Sequence, residues 1–135
     1  MTIKIAINGF GRIGRNIVRA VLEQGRNDIK ITAINDLGPV EYNAHLLEFD
    51  TVHGRLSQKV AVDGDTITAG TQTMLVTAEP DPAKLPWHDV DIVMECTGVF
   101  TARDKAATHL QNGAKRVLVS APSQGADRTI VYGVN

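Results

Sequence analysis

The chain has 135 residues and a formal net charge of -1, and that length is usual for a single domain with one core. Hydrophobic residues make up 43% of it and charged residues 21%, which is typical of a soluble globular protein and excludes disordered, collagen-like and disulfide-rich classes. The charges form neither a basic block nor an acidic tail, so we expect no nucleic acid and no membrane as a partner.

The first predicted elements are a strand, a glycine-rich turn, a helix and a second strand. Apolar and other residues alternate from Ile3 to Ile7, which predicts a strand that ends at the turn Asn8 to Gly14. Apolar residues then recur with a helical period from Arg12 to Gln24, and Gly25 suits the C-terminal cap. The β-branched run Ile29 to Ile34 predicts the next strand. This order is the crossover unit of a parallel sheet.

The middle of the chain departs from a simple alternation of strand and helix. Residues Pro39 to Phe49 predict a short helix. Between Lys59 and Thr77, short apolar runs flank a turn at Asp63 to Asp65, which predicts a small antiparallel insertion beside the parallel sheet. Three prolines between Ala78 and Trp87 remove backbone donors, so that segment is predicted to be a connecting loop.

Strand and helix alternate again in the last third. The pattern predicts a strand over Val90 to Met94, a helix over Ala102 to Asn112 closed by Gly113, and a strand over Arg116 to Val119. Residues Thr129 to Tyr132 are a candidate for one more strand. The whole order favours an α/β fold with a doubly wound, mainly parallel sheet.

A glycine motif lies between the first strand and the first helix. Gly9, Gly11 and Gly14 form a G-x-G-x-x-G in the structural context in which that pattern binds dinucleotides. The missing Cβ atoms let a pyrophosphate approach Gly9 and Gly11 and let the helix lie close to the strand at Gly14. A turn that serves packing alone is the alternative. We therefore predict a Rossmann-type fold, with residues 1–135 forming one dinucleotide-binding domain.

An acidic residue closes the second predicted strand. Asp36 follows Gly14 by 22 positions, near the spacing of about 20 at which a carboxylate meets the adenosine ribose of NAD. Its charge would repel the 2′-phosphate of NADP, and Leu37 and Gly38 bring no arginine to offset it. NAD is therefore the predicted cofactor, and an exposed acid at a strand end is the alternative.

Polar and small residues follow two later strands. Thr97, Gly98 and Phe100 come after the strand predicted at Val90, and Ser120 and Ala121 come after the strand predicted at Arg116. The carboxyl ends of parallel strands border the ligand crevice of a doubly wound sheet, so we expect these residues to line it. Loop packing is the alternative for each.

The residues that could carry catalysis or bind metal show no supporting pattern. Cys96 has no histidine or basic group beside it in the sequence, which favours a structural thiol over a nucleophile. The four histidines have no ligand spacing, so they are interpreted as surface or packing residues and no metal site is predicted. A single cysteine, no recognisable leader and no membrane-length apolar run lead us to expect a cytoplasmic protein.

Eight segments together are more specific than the glycine motif alone. They are Asn8 to Arg15, Asn35-Asp36, Tyr42 to Leu47, Asp50 to Gly54, Glu95 to Phe100, Gly113 to Val117, Ser120 to Ser123 and Gly133 to Asn135. With them, essentially the whole chain resembles the NAD-binding domain of phosphorylating glyceraldehyde-3-phosphate dehydrogenase. The resemblance implies that Arg12 and Ile13 meet the pyrophosphate, Asp36 the adenine-side ribose and Ser120 the region of the other ribose. The predicted cofactor-binding residues are Asn8, Gly9, Gly11, Arg12, Ile13, Gly14, Asp36, Thr97, Gly98, Phe100, Ser120 and Ala121.

The resemblance also implies what this chain lacks. In the family, the catalytic cysteine, its partner histidine and the phosphate-binding residues lie beyond the equivalent of Asn135, so no catalytic residue is predicted and we expect this chain alone to be inactive. The parent enzyme would be an NAD-dependent homotetramer that oxidises and phosphorylates an aldehyde. One departure is Pro80, which stands where the family often has an arginine that touches the cofactor.

Two alternatives stay open at this point. A close relative in the family oxidises erythrose 4-phosphate, and the ending Thr129 to Asn135 would suit it, although Asp36 and Ser120 to Ser123 favour the glyceraldehyde enzyme. A standalone NAD-binding or interaction module without catalysis is the other alternative, because the glycine motif is complete and no nucleophile accompanies it.

Overall fold

Nine strands and four α-helices make up the computed structural model, which describes residues 1–135. The strands are β1 (Ile3–Asn8), β2 (Ile29–Asn35), β3 (Phe49–Asp50), β4 (Gly54–Arg55), β5 (Val60–Asp63), β6 (Thr66–Ala69), β7 (Gln72–Thr77), β8 (Ile92–Glu95) and β9 (Arg116–Val119). The helices are α1 (Arg12–Glu23), α2 (Val40–Glu48), α3 (Arg103–Ala106) and α4 (Thr108–Gln111), with a 3₁₀ turn at Pro82–Lys84. None of the helices is both long and apolar enough to cross a membrane.

The main sheet has seven strands in the order β5-β6-β7-β2-β1-β8-β9. Every pairing from β7 to β9 is parallel, whereas β5, β6 and β7 pair with one another antiparallel. Strand β1 is flanked by β2 on one side and by β8 on the other, which is the reversal of strand order typical of a doubly wound sheet. The predicted fold class is confirmed.

The antiparallel strands predicted between Lys59 and Thr77 are present and extend one edge of the main sheet. They join it because β7 also pairs in parallel with β2, with Ile34 opposite Val76. A separate two-stranded ribbon, β3 with β4, follows α2 and pairs Phe49 with Arg55. The sequence did not indicate that this ribbon exists, because each of its strands has only two residues.

The central strand β1 is buried on both faces. Ile5 and Ile7 pack in one apolar cluster with Val18 of α1, and Ala6 packs in a second cluster with Trp87. Successive side chains of a strand point to opposite faces, so one strand contributes to both clusters. This burial on both faces explains why the first strand is apolar at nearly every position.

Two predicted elements near the C-terminus differ in the structure. The helix predicted over Ala102 to Asn112 is interrupted at Ala107, where the Leu110 amide bonds to the carbonyl of Ala107 at 3.0 Å and tightens the turn. The strand predicted at Thr129 to Tyr132 is wrong, because no strand lies beside it to accept its hydrogen bonds. Its backbone turns instead, and the Val131 amide donates to Asn135 Oδ1 at 2.7 Å.

Gly14 and Gly11 provide a matched test of the contact between α1 and β1. A Cβ on Gly14 would clash with the carbonyl oxygen of Gly9 and lie 3.1 Å from Cγ2 of Ile7, whereas a Cβ on Gly11 meets nothing within 4 Å. We expect Gly14→Ala to lower the free energy of unfolding by about 1 to 3 kcal/mol, as overpacking does. Gly11→Ala should change it by less than about 0.5 kcal/mol. Urea unfolding of both variants checks this, and equal losses would contradict it.

Candidate cofactor site

The carboxyl ends of β1, β2, β8 and β9 lie side by side at one edge of the sheet. The register pairs Asn8 with Asn35 in β2 and with Glu95 in β8, and Glu95 with Val119 in β9. The residues that follow these strands therefore come together, as predicted, although they are far apart in the chain. They are Gly9, Asp36, Thr97 and Ser120.

The glycine turn after β1 is shaped by its neighbouring loop. Gly9 has a φ of 92°, and its amide donates to the Asn35 carbonyl at 2.8 Å. A Cβ on Gly9 would lie 2.7 Å from the nitrogen of Thr97 and 2.8 Å from the carbonyl carbon of Cys96. Gly9 is thus required by the close approach of the loop after β8, in addition to any ligand. Gly11, in contrast, borders open space.

The start of α1 offers free hydrogen-bond donors. The backbone amides of Gly11, Arg12 and Ile13 have no acceptor within the chain. The helix also has no side-chain cap and no acidic residue in its first turn. Unpaired amides at the positive end of a helix dipole are suited to a phosphate or another anion. Together with the open space at Gly11, they fit the pyrophosphate of a dinucleotide.

The carboxylate of Asp36 holds the glycine turn against the end of β2. Its Oδ1 accepts the Phe10 amide at 3.0 Å, and its Oδ2 accepts the Gly38 amide at 2.9 Å and Asn43 Nδ2 at 3.2 Å. A carboxylate has about four lone-pair sites, so at least one remains for a ribose hydroxyl. The structure thus adds a role that the spacing to Gly14 did not reveal.

Arg12 is paired with a carboxylate of the β3–β4 ribbon. Its guanidinium lies 3.2 Å from Oδ1 of Asp50, and the Arg12 side chain is 46% exposed. The amide of His53 lowers the pKa of the Asp50 carboxyl most and, with the Val52 amide and the Arg12 charge, outweighs burial and brings it to about 2. Asp50 was not a predicted site residue. Asp50 begins a turn in which its carboxylate accepts the amides two and three residues ahead. Such an aspartate turn is the sequence signal that could have identified Asp50.

The side chain of Asn8 points into the protein. It is 2% exposed; its Oδ1 accepts from Asn35 Nδ2 at 2.8 Å and its Nδ2 donates to Glu95 Oε1 at 2.7 Å. The adjacent Asn35 also binds the end of β7 and the loop after it, since its Oδ1 accepts the Thr77 hydroxyl at 2.7 Å and the Glu79 amide at 2.8 Å. That Asn8 contacts the cofactor stays a prediction. That Pro80 removes the cofactor contact which the family often makes through an arginine also stays a prediction.

Glu95 is the centre of this buried polar network. Its Oε2 accepts the amide and the hydroxyl of Thr97 at 3.0 and 2.6 Å, and its Oε1 accepts from Asn8 and from His109 Nε2, at 2.7 and 2.8 Å. Burial raises the pKa of the Glu95 carboxyl, but the hydrogen bonds from His109, Thr97 and Asn8 outweigh it, and the pKa lies below its ordinary value. Glu95 is therefore a buried carboxylate in its charged form.

The tautomer of His109 is set by the chain's one tryptophan. Trp87 Nε1 lies 2.9 Å from His109 Nδ1, and because an indole can only donate, Nδ1 must be the acceptor. The proton of the imidazole is then on Nε2, which donates to Glu95 at 2.8 Å. His109 is fully buried. Of the two interpretations of the histidines, surface or packing residue, it is therefore a packing residue.

The loop after β8 is ordered by Thr97. Its Oγ1 accepts the Val99 amide at 3.1 Å, and Gly98 has a φ of 75° that favours glycine. Phe100 is half-buried, and the exposed Ser120 of the neighbouring loop donates its amide to the Glu95 carbonyl at 3.1 Å. Thr97, Gly98, Phe100, Ser120 and Ala121 thus border the same edge, and their contacts with a cofactor stay predictions.

Cys96 lacks the surroundings of a nucleophile. Burial raises the pKa of its thiol, the Glu95 charge raises it further, and a hydrogen bond with Ser120 opposes both only in part. The thiol is consequently protonated near neutral pH, whereas reactive cysteines are thiolates. No group of three or more His, Cys, Asp or Glu side chains is arranged to hold a metal ion.

Comparison with known proteins agrees with this geometry. A family model described as the NAD binding domain of glyceraldehyde 3-phosphate dehydrogenase matches residues 3–103. The chain is 67% identical over 135 residues to a glyceraldehyde-3-phosphate dehydrogenase of Cereibacter sphaeroides, covering 100% of the chain and 40% of that protein. It is 64% identical over 137 residues to that of Xanthobacter flavus, covering 100% of the chain and 41% of the relative. The chain thus spans about two fifths of the length of these relatives.

Replacing Glu95 by glutamine should lower stability in a pH-dependent way. Because the folded-state pKa of Glu95 is depressed, its contribution is present above its unfolded-state pKa and is lost as pH falls through the folded one. At pH 7, leaving buried donors of Thr97 or His109 unpaired should cost about 1 to 3 kcal/mol. Urea unfolding across a pH series should show the gap from wild type narrowing in acid.

The matched control is Glu23→Gln, at the exposed end of α1, where the carboxylate makes no ion pair. Its free energy of unfolding should stay within about 0.5 kcal/mol of wild type at every pH. A gap for Glu95→Gln that stays constant from neutral to acid pH would contradict the role assigned to the charge.

Proposed function

The chain belongs to the glyceraldehyde-3-phosphate dehydrogenase family as its NAD-binding domain, and from that membership we propose that it supplies the NAD site of an enzyme that oxidises and phosphorylates glyceraldehyde 3-phosphate. The observation that carries this proposal is the group of unpaired amides at the start of α1, adjacent to Asp36. Bound NAD would supply the hydride acceptor of the reaction. The residues of this chain bind and orient it.

The proposed contacts with the parts of the cofactor follow the order of the strands. The amides of Gly11 and Ile13, with the guanidinium of Arg12, hold the pyrophosphate at β1. Asp36, at β2, accepts hydrogen bonds from the adenine-side ribose. Thr97, Gly98 and Phe100, after β8, line the cofactor crevice, and Ser120 and Ala121, after β9, lie toward the nicotinamide-side ribose. Gly9 and Gly14 shape the turn, and Asn8 supports it from below.

Selectivity for NAD over NADP is proposed to come from Asp36. Its carboxylate would repel a 2′-phosphate, and the two residues that follow provide no positive charge: Leu37, which is exposed, and Gly38. The Gly38 amide already donates to Asp36 Oδ2 at 2.9 Å, so it is not free to bind the phosphate. These contacts support NAD as the cofactor that is used.

The catalytic half is proposed to lie in the rest of a longer protein, so that residues 1–135 act as one cofactor-binding domain. The protonated thiol of Cys96 and the fully engaged His109 support this division, since neither can serve as nucleophile or base. Family membership further supports a cytoplasmic homotetramer as the parent enzyme. The names of both relatives favour the glyceraldehyde substrate over erythrose 4-phosphate.

Calorimetric titration of the 135-residue chain tests the cofactor. We expect saturable binding of NAD and NADP binding weaker by about tenfold or more, which corresponds to about 1.4 kcal/mol. Asp36→Asn removes the repelling charge and should narrow the ratio of NAD to NADP affinity. Leu37→Ala is the control, because Leu37 is an exposed neighbour whose side chain makes no hydrogen bond, and it should preserve that ratio. Binding of neither dinucleotide by the folded chain would refute the cofactor proposal.

An activity assay tests the proposed division between two halves. The purified 135-residue chain should form no NADH from glyceraldehyde 3-phosphate and inorganic phosphate, because it contains no activated nucleophile. The longer protein that contains it should form NADH under the same conditions. Turnover by a homogeneous preparation of the 135-residue chain, verified by intact mass, would show that this division is wrong.

A further inference from the structure

The segment between β2 and α2 is held by one buried side-chain amide. Asn43, near the start of α2, is 2% exposed. Its Nδ2 donates to Oδ2 of Asp36 at 3.2 Å and to the carbonyl of Gly38 at 3.5 Å. Both partners can only accept, so the amide nitrogen of Asn43, and not its oxygen, must face them. Asn43 therefore ties together the two ends of the segment Asp36 to Gly38.

Of the three donors to the Asp36 carboxylate, only Asn43 belongs to a helix. The other two donors are backbone amides of loop residues. Helix α2 is anchored in the apolar core by Leu47, which is fully buried. The last torsion of an aspartate side chain is soft, so its hydrogen-bond donors decide the plane of the carboxylate. Asn43 is thus the contact that fixes this plane relative to the core of the protein.

The surroundings of this contact leave little room for movement. A Cβ on Gly38 would lie 3.1 Å from Oδ2 of Asp36 and 3.7 Å from Oδ1 of Asn43. The backbone of the segment, the carboxylate and the amide therefore pack against one another. A close-packed group of this kind holds a side chain in one orientation more firmly than a single hydrogen bond does.

The carboxylate held in this way lies beside the unpaired amides of the glycine turn. Oδ1 of Asp36 accepts the amide of Phe10 at 3.0 Å, and the next amides along the chain, from Gly11 to Ile13, are the free ones. In a dinucleotide, each ribose is joined directly to the pyrophosphate. A carboxylate so close to the amides proposed to bind the pyrophosphate is within reach of a ribose. Its orientation decides how strongly it acts on a phosphate attached there.

We propose that Asn43 is a positioning residue for cofactor selectivity, which acts through the carboxylate of Asp36. This inference rests on the proposed binding of NAD with its adenine-side ribose at Asp36. The amide of Asn43 keeps the carboxylate directed at that ribose, where it accepts a hydrogen bond from a hydroxyl and repels a 2′-phosphate. Without the amide, the carboxylate can turn away from a 2′-phosphate, and the repulsion weakens.

The test measures the affinities of the full 135-residue chain for NAD and for NADP by calorimetry. Asn43→Leu keeps the branched shape of the side chain and removes both donated hydrogen bonds. We expect it to narrow the ratio of NAD to NADP affinity by about threefold or more, as the loss of a hydrogen bond to a charged group does. Val40→Ala is the matched control, because Val40 lies in the same helix and packs against the core without a side-chain hydrogen bond. It should lower stability and leave the ratio unchanged.

A double variant separates action through Asp36 from a general effect on the site. In Asp36→Asn the repelling charge is already gone, so the addition of Asn43→Leu should leave the ratio of NAD to NADP affinity within about twofold of that of Asp36→Asn alone. Independent contributions would instead multiply in the double variant. The same narrowing by Asn43→Leu with and without the Asp36 charge overturns the proposed role.

The outcomes separate the inference from the function on which it rests. An unchanged ratio in Asn43→Leu, or an equal narrowing in Val40→Ala, overturns the positioning role and leaves NAD binding intact. A wild-type chain that does not bind NAD overturns the proposed function, and one that binds NAD and NADP equally overturns the selectivity assigned to Asp36; the inference fails with either.

A second substitution decides if Asn43→Leu does not fold. The hydroxyl of Asn43→Ser ends one bond short of the amide nitrogen that now lies 3.2 Å from Asp36, so the contact is lost while a small polar side chain remains. We expect Asn43→Ser to narrow the ratio of NAD to NADP affinity in the same direction. A ratio equal to that of the wild-type chain overturns the inference.

Discussion

Everything at the cofactor edge depends on a buried set of polar side chains that joins the ends of three parallel strands. Asn8, Asn35 and Glu95 are the last residues of β1, β2 and β8, and each is at most 4% exposed. Buried polar groups are costly unless they are paired, and a buried charge more so. Here each side chain bonds to the next, from the loop after β7 to His109. Because such a network is worth most when it is complete, it specifies one alignment of the strand ends.

At this edge of the sheet, side chains stabilise the strand ends inside the protein and backbone amides provide the donors at the surface. Side chains of the last strand residues point inward and bond to one another, while the unpaired backbone amides lie further along the chain, from Gly11 to Ile13 at the start of α1. The donors of Gly11 and Ile13 are backbone amides and need no side chain to hold them. Their positions relative to a bound anion are therefore set by where β1 ends. A slip of one residue in β1 would turn Asn8 to the other face and expose the carboxylate of Glu95.

Much of this architecture could be predicted from sequence because its signals are local. Alternation in β1, the period of α1 and the glycine turn all lie within about 25 neighbouring residues, and Asp36 follows at a fixed spacing. The polar network could not be predicted, because Asn8 and Glu95 are 87 positions apart and meet only through the register of β1 with β8. Thr129 to Tyr132 shows the opposite failure: β propensity is high there, yet no partner strand is present.

The three glycines of the motif illustrate how one sequence pattern combines separate physical demands. Gly14 is required because the helix meets the carbonyl of Gly9, and Gly9 because the loop after β8 leaves no room for a Cβ. Only Gly11 borders open space, so only there does the absence of a side chain serve a ligand directly. The motif therefore reports first on a tightly packed strand, turn and helix. What makes this instance a dinucleotide site is its surroundings, namely the unpaired amides and a carboxylate, Asp36, that is fixed by the turn it faces.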